Sequence, residues 1–139
     1  MRLAAEELGA SDRIKVIDSA NLSTGIGLLV VEAAIMAKKN RTASEIVSEI
    51  EKLKPNVRAS FVVDTLTYLY RGGRCNAVAA MAGGVLKLHP KIVVEDGAMN
   101  ASKKYRGKIA SVILSYVKDM EKDLKKCKTG ARIYHAFRL

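Results

Sequence analysis

The chain has 139 residues, 49% of them apolar and 27% charged, with no tryptophan and a net charge of +10. That length suits one domain, or one domain with part of another, and it buries roughly 70% of the unfolded surface, so a core is possible without disulfide or metal staples. The composition excludes a membrane-spanning helix, because the longest apolar stretch, Gly25 to Ala37, is interrupted by Glu32 and falls short of the roughly 20 residues a bilayer requires.

Arg2 to Gly9 reads as a helix closed by a glycine cap. Ile14 to Ile17 is short and β-branched and runs into Asp18-Ser19, the pattern of a strand ending in a polar loop. Asn21 to Gly25 offers capping groups for a helix reaching about Lys39, with Asn40 suited to a left-handed terminus. Thr42 and Glu45 have the spacing of a capping box, and they open a second helix with Ile46, Val47, Ile50 and Leu53 on one face. Pro55 stops that helix and marks the one plausible boundary, dividing the chain into residues 1–54 and 55–139.

Beyond the boundary, Val57 to Val63 reads as a strand, and Asp64-Thr65 caps a short helix carrying Leu66, Tyr68 and Leu69. A turn at Arg71 to Arg74 leads into a helix of small residues, Asn76 to about Leu86, which His89-Pro90 breaks. Lys91 to Val94 and Met99 to Ser102 form a hairpin around Asp96-Gly97, since this dipeptide tolerates the positive φ of a tight turn. The longest helix is expected from about Lys103 to Lys126, with Ile109, Val112, Ile113, Tyr116, Met120 and Leu124 in one buried stripe. Ile133 to Phe137 reads as a last strand. The expected class is α/β, layered helices with a mixed sheet.

Charge divides as the elements do. Through Tyr70 there are nine basic and nine acidic residues, whereas from Arg71 onward fifteen basic face five acidic. All the excess lies in the second part, which suits an anionic partner or a solvated basic helix face. Nucleic acid is the weaker choice, because the basic residues are mostly lysines on one helix without interleaved aromatics. Cys75 and Cys127 are distant in sequence and are expected to be reduced thiols; neither His89 nor His135 supplies a metal-ligand spacing. No nucleophile–base spacing stands out, and no enzyme activity is expected. Acidic residues at Glu6 and Glu7 stand where a secretion signal has its apolar core, so the expected location is the cytoplasm.

Ile17-Asp18-Ser19, the run Ser23-Thr24-Gly25-Ile26-Gly27-Leu28-Leu29-Val30, and above all Asp64-Thr65-Leu66-Thr67-Tyr68-Leu69 leading into Gly72-Gly73-Arg74 resemble the DegV family. Pro90, the Asp96-Gly97 hairpin and Arg106 follow in the same order, so the resemblance covers nearly the whole chain. It implies a bacterial carrier, not an enzyme, that holds one long-chain fatty acid between two α/β domains and in some members presents it to a separate fatty-acid kinase. It also implies that the chain is a fragment or truncated member, with an incomplete first domain and most of the second. The family's two hydroxyl-rich segments that hold the carboxylate are not found here, nor is its last, histidine-bearing segment; His135 sits in an earlier strand. Lipid binding is therefore expected to be impaired.

Within that frame Arg74 is the foremost candidate for a lipid head group or partner contact, as a guanidinium at a glycine turn that pairs with a carboxylate or phosphate, or satisfies carbonyls at a domain junction. Gly73 is a backbone device beside it. Ser19 ends a strand at the sheet edge where α/β proteins bind ligands, or caps locally. Arg106 matches a family arginine, or starts a helix in solvent. Ile26, Leu29, Leu66, Met81 and Leu86 line an acyl tunnel or fill plain core. The alternatives to lipid binding are an anionic-surface or nucleic-acid binding module and a self-associating structural remnant, the last because a partial fold leaves an apolar face uncovered.

Overall fold

A computed structural model describes residues 1–73 and 88–124. The chain divides into two compact units, Met1–Val57 and Arg58–Leu139. The expected helix at 76–86 and strand at 133–137, together with Arg74, Met81, Leu86 and both cysteines, lie outside the described residues.

The first unit is helical. Helix α1 spans Arg2–Glu7, and Gly9 takes a φ of +59° just beyond it. Helix α2 spans Ser23–Lys38 and helix α3 spans Ala43–Leu53, and the two pack together. The expected capping box closes α3: Thr42 Oγ1 accepts from the Glu45 N–H, and the Glu45 carboxylate accepts from the Thr42 N–H at 2.8 Å. Asn40, at φ 57°, makes the left-handed turn between the helices. A single 3-10 turn at Lys54–Asn56 contains Pro55 and ends the unit.

Two expectations fail here. Ile14 to Ile17 is not a strand. Every element of this unit is helical, so its β-branched run has no neighbouring strand to pair with, and propensity alone does not make a ladder. Asn21, Ser23 and Thr24 do not cap α2 with their side chains either; Leu22 is its N-cap.

The second unit holds an antiparallel sheet in the order β1-β2-β3, with β1 at Ala59–Val62, β2 at Leu88–Glu95 and β3 at Ala98–Arg106. Among the described residues every pairing in it is antiparallel. The short helix α4, Thr67–Arg71, follows β1, and helix α5, Ile109–Leu124, follows β3. Asp96 and Gly97 take φ of 52° and 75°, the two left-handed positions of the expected hairpin turn.

Two boundaries differ from expectation. His89 and Pro90 lie inside β2 rather than breaking the chain before it, and Lys103 to Arg106 belong to β3 rather than to the long helix. Both strands continue because Leu88 to Pro90 pair with Lys104 to Arg106 beyond a β-bulge. Pro90 pairs with Lys104 and Ile92 with Ala101, so Ser102 and Lys103 together oppose Lys91. A proline in an inner strand is tolerated where the ladder is already interrupted.

The bulge also re-aims β3. Alternation places Phe61, Ile92 and Ala101 on one face, where fully buried Ile92 packs with Leu66, Leu69 and Met99. Ser60 and Lys91 face the other way, towards α5, where Tyr116 donates to the Ser60 carbonyl at 2.8 Å and receives the Ser60 hydroxyl at 2.8 Å. The Lys91 ammonium stands 5.9 Å from the Tyr116 ring centre. After the extra residue Lys103 and Tyr105 also reach α5.

In α2, a Cβ at Gly27 would meet nothing within 4 Å, whereas one at Gly25 would lie 2.0 Å from Asn21 Oδ1. Gly27→Ala is therefore expected to stabilise the first unit by about 0.5–1 kcal/mol through helix propensity. Gly25→Ala should show no such gain, since it displaces the Asn21 carboxamide that accepts from the Leu22 N–H at 3.1 Å. Urea unfolding followed by circular dichroism checks the difference.

Candidate functional site

The antiparallel order brings the end of β1, the start of β2 and the end of β3 to one end of the sheet. There His89, only 4% exposed, lies between two main-chain carbonyls. Its Nδ1 is 3.1 Å from the Val63 oxygen, and its Nε2 is 3.0 Å from the Gly107 oxygen. Either neutral tautomer donates to one of them, and a protonated ring donates to both. Asp64 Oδ1 stands 3.7 Å from Nδ1. One ring thus ties the residue before Asp64 to the residue after Arg106.

The segment leaving this tie holds most of the distinctive motif. Thr65 Oγ1 accepts from the Thr67 N–H at 3.3 Å and lies 2.9 Å from the Thr67 hydroxyl, starting α4. Leu66 precedes α4 and packs on Ile92. Gly73, at φ +64°, occupies the left-handed position that favours glycine. Arg106 is exposed, opposite Leu88 at the end of β3. It does not start a helix. Leu66 and Arg106 therefore sit at the same end of one sheet.

Ser19 belongs to the other unit, in a tight polar turn. Its hydroxyl accepts from the Asn21 N–H at 3.3 Å, and Asp18 Oδ1 accepts from the Ala20 N–H at 2.9 Å. Ala20 and Ser23 hold φ of 48° and 45°, a left-handed conformation that costs a residue with a Cβ about 1–2 kcal/mol. In α2, Leu29 is 5% exposed while Ile26 is 41% and Val30 60% exposed. The helix is apolar around its circumference, and only part of it faces α3.

A second feature lies between β3 and α5. An open groove of about 750 Å³ is lined by Lys103, Lys104, Arg106, Lys118 and Lys122, with Tyr105, Asp119 and Glu121 among the remaining lining residues. The Asp119 carboxylate accepts from the Lys103 ammonium and, at 2.8 Å, from the Tyr105 hydroxyl. Those donors hold the Asp119 carboxyl below the usual carboxylate range, Lys103 most strongly. Burial, and then the adjacent Asp119, push the Tyr105 phenol up. The Tyr105 and Tyr116 rings meet edge to face at 6.5 Å between centres, and burial raises Tyr116 as well. No group of acidic, histidine or cysteine side chains able to hold a metal occurs among the described residues, and none of their helices is long and apolar enough to cross a membrane.

His89 and the Lys103–Asp119–Tyr105 cluster were not singled out from sequence. His89 meets partners 26 and 18 residues away, and Tyr105 meets Asp119 at a separation of 14, beyond the reach of local patterns.

A family model described as "Uncharacterised protein, DegV family" matches residues 1–136. A DegV domain-containing protein of Caldanaerobacter subterraneus is 36% identical over 128 residues, covering 91% of this chain and 46% of that protein. The fatty-acid-binding DegV family protein of Thermus thermophilus is similar in structure, with a TM-score of 0.65 and 29% identity over 85% of this chain and 42% of that one. A stearic-acid-binding protein of Eubacterium ventriosum gives a TM-score of 0.65 and 28% identity, over 87% of this chain and 43% of that one. The chain spans a little under half the length of these relatives.

Two outcomes check the geometry. His89→Ala takes the donor from a part-buried carbonyl and opens a cavity, so it should cost about 2–4 kcal/mol in urea unfolding, with partial recovery in His89→Gln. Asp119 has a depressed folded-state pKa, so its contribution to stability is present above the unfolded value, about 4, and lost as pH falls through the depressed one. Asp119→Asn should therefore flatten the acid limb of a plot of melting temperature against pH.

Proposed function

The chain belongs to the DegV family, and from that premise we propose that it takes part in carrying a long-chain fatty acid, contributing apolar wall to the acyl chain and no chemistry of its own. The observation that carries this reading is α2, an apolar helix that leaves Ile26, Val30 and Val31 exposed beside the glycine-containing start of the family motif. An alkyl chain gains roughly 0.8 kcal/mol for each methylene it buries, so a wall of this kind supplies affinity even where no carboxylate grip is present. Ile26 and Leu29 in the first unit, and Leu66, Met81 and Leu86 in the second, are the residues assigned to the acyl chain, Leu29 from within the core of its unit. Ser19 shapes the loop that leads into α2.

Arg74, Gly73 and Arg106 are assigned to the polar end, as contacts for the lipid head group or for a partner such as a fatty-acid kinase subunit. What supports this is the common origin of the two segments at the sheet end held by His89. The same exposed face of α2 supports a second reading, in which two copies cover it mutually.

Native mass spectrometry of the purified chain tests both. A bound fatty acid is expected, and Ile26→Ser should lower its affinity by roughly tenfold, the equivalent of about one exposed aliphatic side chain. A chain that stays lipid-free when titrated with stearic acid would overturn the carrier reading. A strict monomer at high concentration would overturn the paired one.

A further inference from the structure

The groove between β3 and α5 is unlike an acyl wall. Its floor includes Tyr105 and Val112, 7% and 1% exposed, but its rim is cationic and it opens to solvent. Five cations line it. One of them, Lys103, is engaged by Asp119, and the Tyr105 hydroxyl donates a hydrogen bond to the same carboxylate. Asp119 is thus spent inside the cluster. Lys104, Arg106, Lys118 and Lys122 line the rest, all exposed and with no ion pair to any of the four among the described residues; Lys122 is close enough to act on the Asp119 charge, and Glu121 is the one other acid in the lining. Four like charges around one open groove repel one another unless an anion joins them.

We propose that this groove binds a phosphate-bearing ligand with more than one negative charge. Phosphate oxygens accept from several donors at once, and a guanidinium beside ammonium groups provides a fork together with mobile point charges. The open, wet groove suits a ligand that keeps part of its hydration, whereas a lone carboxylate would leave most of the positive charge unmet. The same geometry gathers five of the fifteen basic residues from Arg71 onward: the bulge turns Lys103 and Tyr105 onto α5, and α5 returns Lys118 and Lys122 to the same rim. The phosphate could be carried by a soluble molecule or by a phospholipid head group; the groove shares Arg106 with the polar end proposed above, whereas Lys118 and Lys122 belong to the groove alone.

Calorimetric titration of the whole chain with tripolyphosphate, at low salt, is the test. Saturable binding of one tripolyphosphate per chain is expected, weakened roughly tenfold or more in Lys118→Gln/Lys122→Gln, as for the loss of charge-assisted hydrogen bonds. Lys38→Gln/Lys39→Gln, on the other unit, should bind as the unaltered chain does. Lys118→Gln alone serves if the double variant does not fold, with a smaller loss in the same direction. Flotation with phosphatidylglycerol vesicles separates the sources: vesicle binding that depends on Lys118 and Lys122 without tripolyphosphate binding assigns a lipid head group, and the reverse assigns a soluble phosphate. The proposal is overturned if neither probe binds, if binding does not saturate, or if the Lys38 and Lys39 pair weakens it equally.

Discussion

The second unit depends on one buried imidazole. The end of β1, the start of β2 and the end of β3 meet at one end of the sheet, where nothing in the ladder itself ties the chain leaving β1 to the chain leaving β3. His89 holds both of those exits, at Val63 and Gly107, from its own place at the start of the strand between them. Main-chain carbonyls buried beside a sheet end need donors, and leaving one unmet costs about 1–3 kcal/mol. Setting one ring between both carbonyls, with a donor for one of them in either neutral tautomer, makes the geometry of Asp64 and Arg106 mutually dependent. Pro90 follows at once, where its missing N–H coincides with the bulge and costs the ladder little.

The bulge has its own consequence on the far side of the sheet. One extra residue in β3 changes which side chains meet α5, and so brings Tyr105 and Lys103 onto Asp119. Tyr116 fixes the same helix to β1 through Ser60. The helix is thereby seated by polar contacts at two strands, with Val112 buried, and its lysines are left to line a groove rather than dispersing into solvent. Structure and charge are coupled here: the contact that anchors the helix also uses up the groove's nearest carboxylate.

The first unit follows a different logic. Its capping box and left-handed Asn40 define a helical hairpin by local chemistry alone. Yet α2 is apolar on every side, and a helix of that kind gains most when covered all round. Exposed Ile26, Val30 and Val31 mark where it has apolar surface to offer an acyl chain or another copy. Relatives of more than twice this length bind fatty acids, and the strained polar turn at Ala20 and Ser23 lies directly before the helix that the family motif opens.

Local chemistry was legible wherever its causes lay within a few residues. Thr42 and Glu45 announced the start of α3, Asp96-Gly97 announced the hairpin, and the run from Asp64 to Arg74 announced the family. Each depends on backbone geometry or hydrogen bonds spanning a handful of positions. Ile14 to Ile17 looked like a strand because propensity reports what a segment tolerates, not whether a partner lies beside it. Arg106 looked like a helix start because a bulge opposite Lys91 has no signature in sequence. His89 looked inert because its two carbonyls are supplied by segments that only the folded sheet brings together. The sequence by itself determined the α3 capping box, the hairpin turn, the family and the charge asymmetry; the tertiary structure decided which face each residue of β3 presents, what His89 holds, and where five of the late basic residues converge, since all three are set by pairing between distant strands.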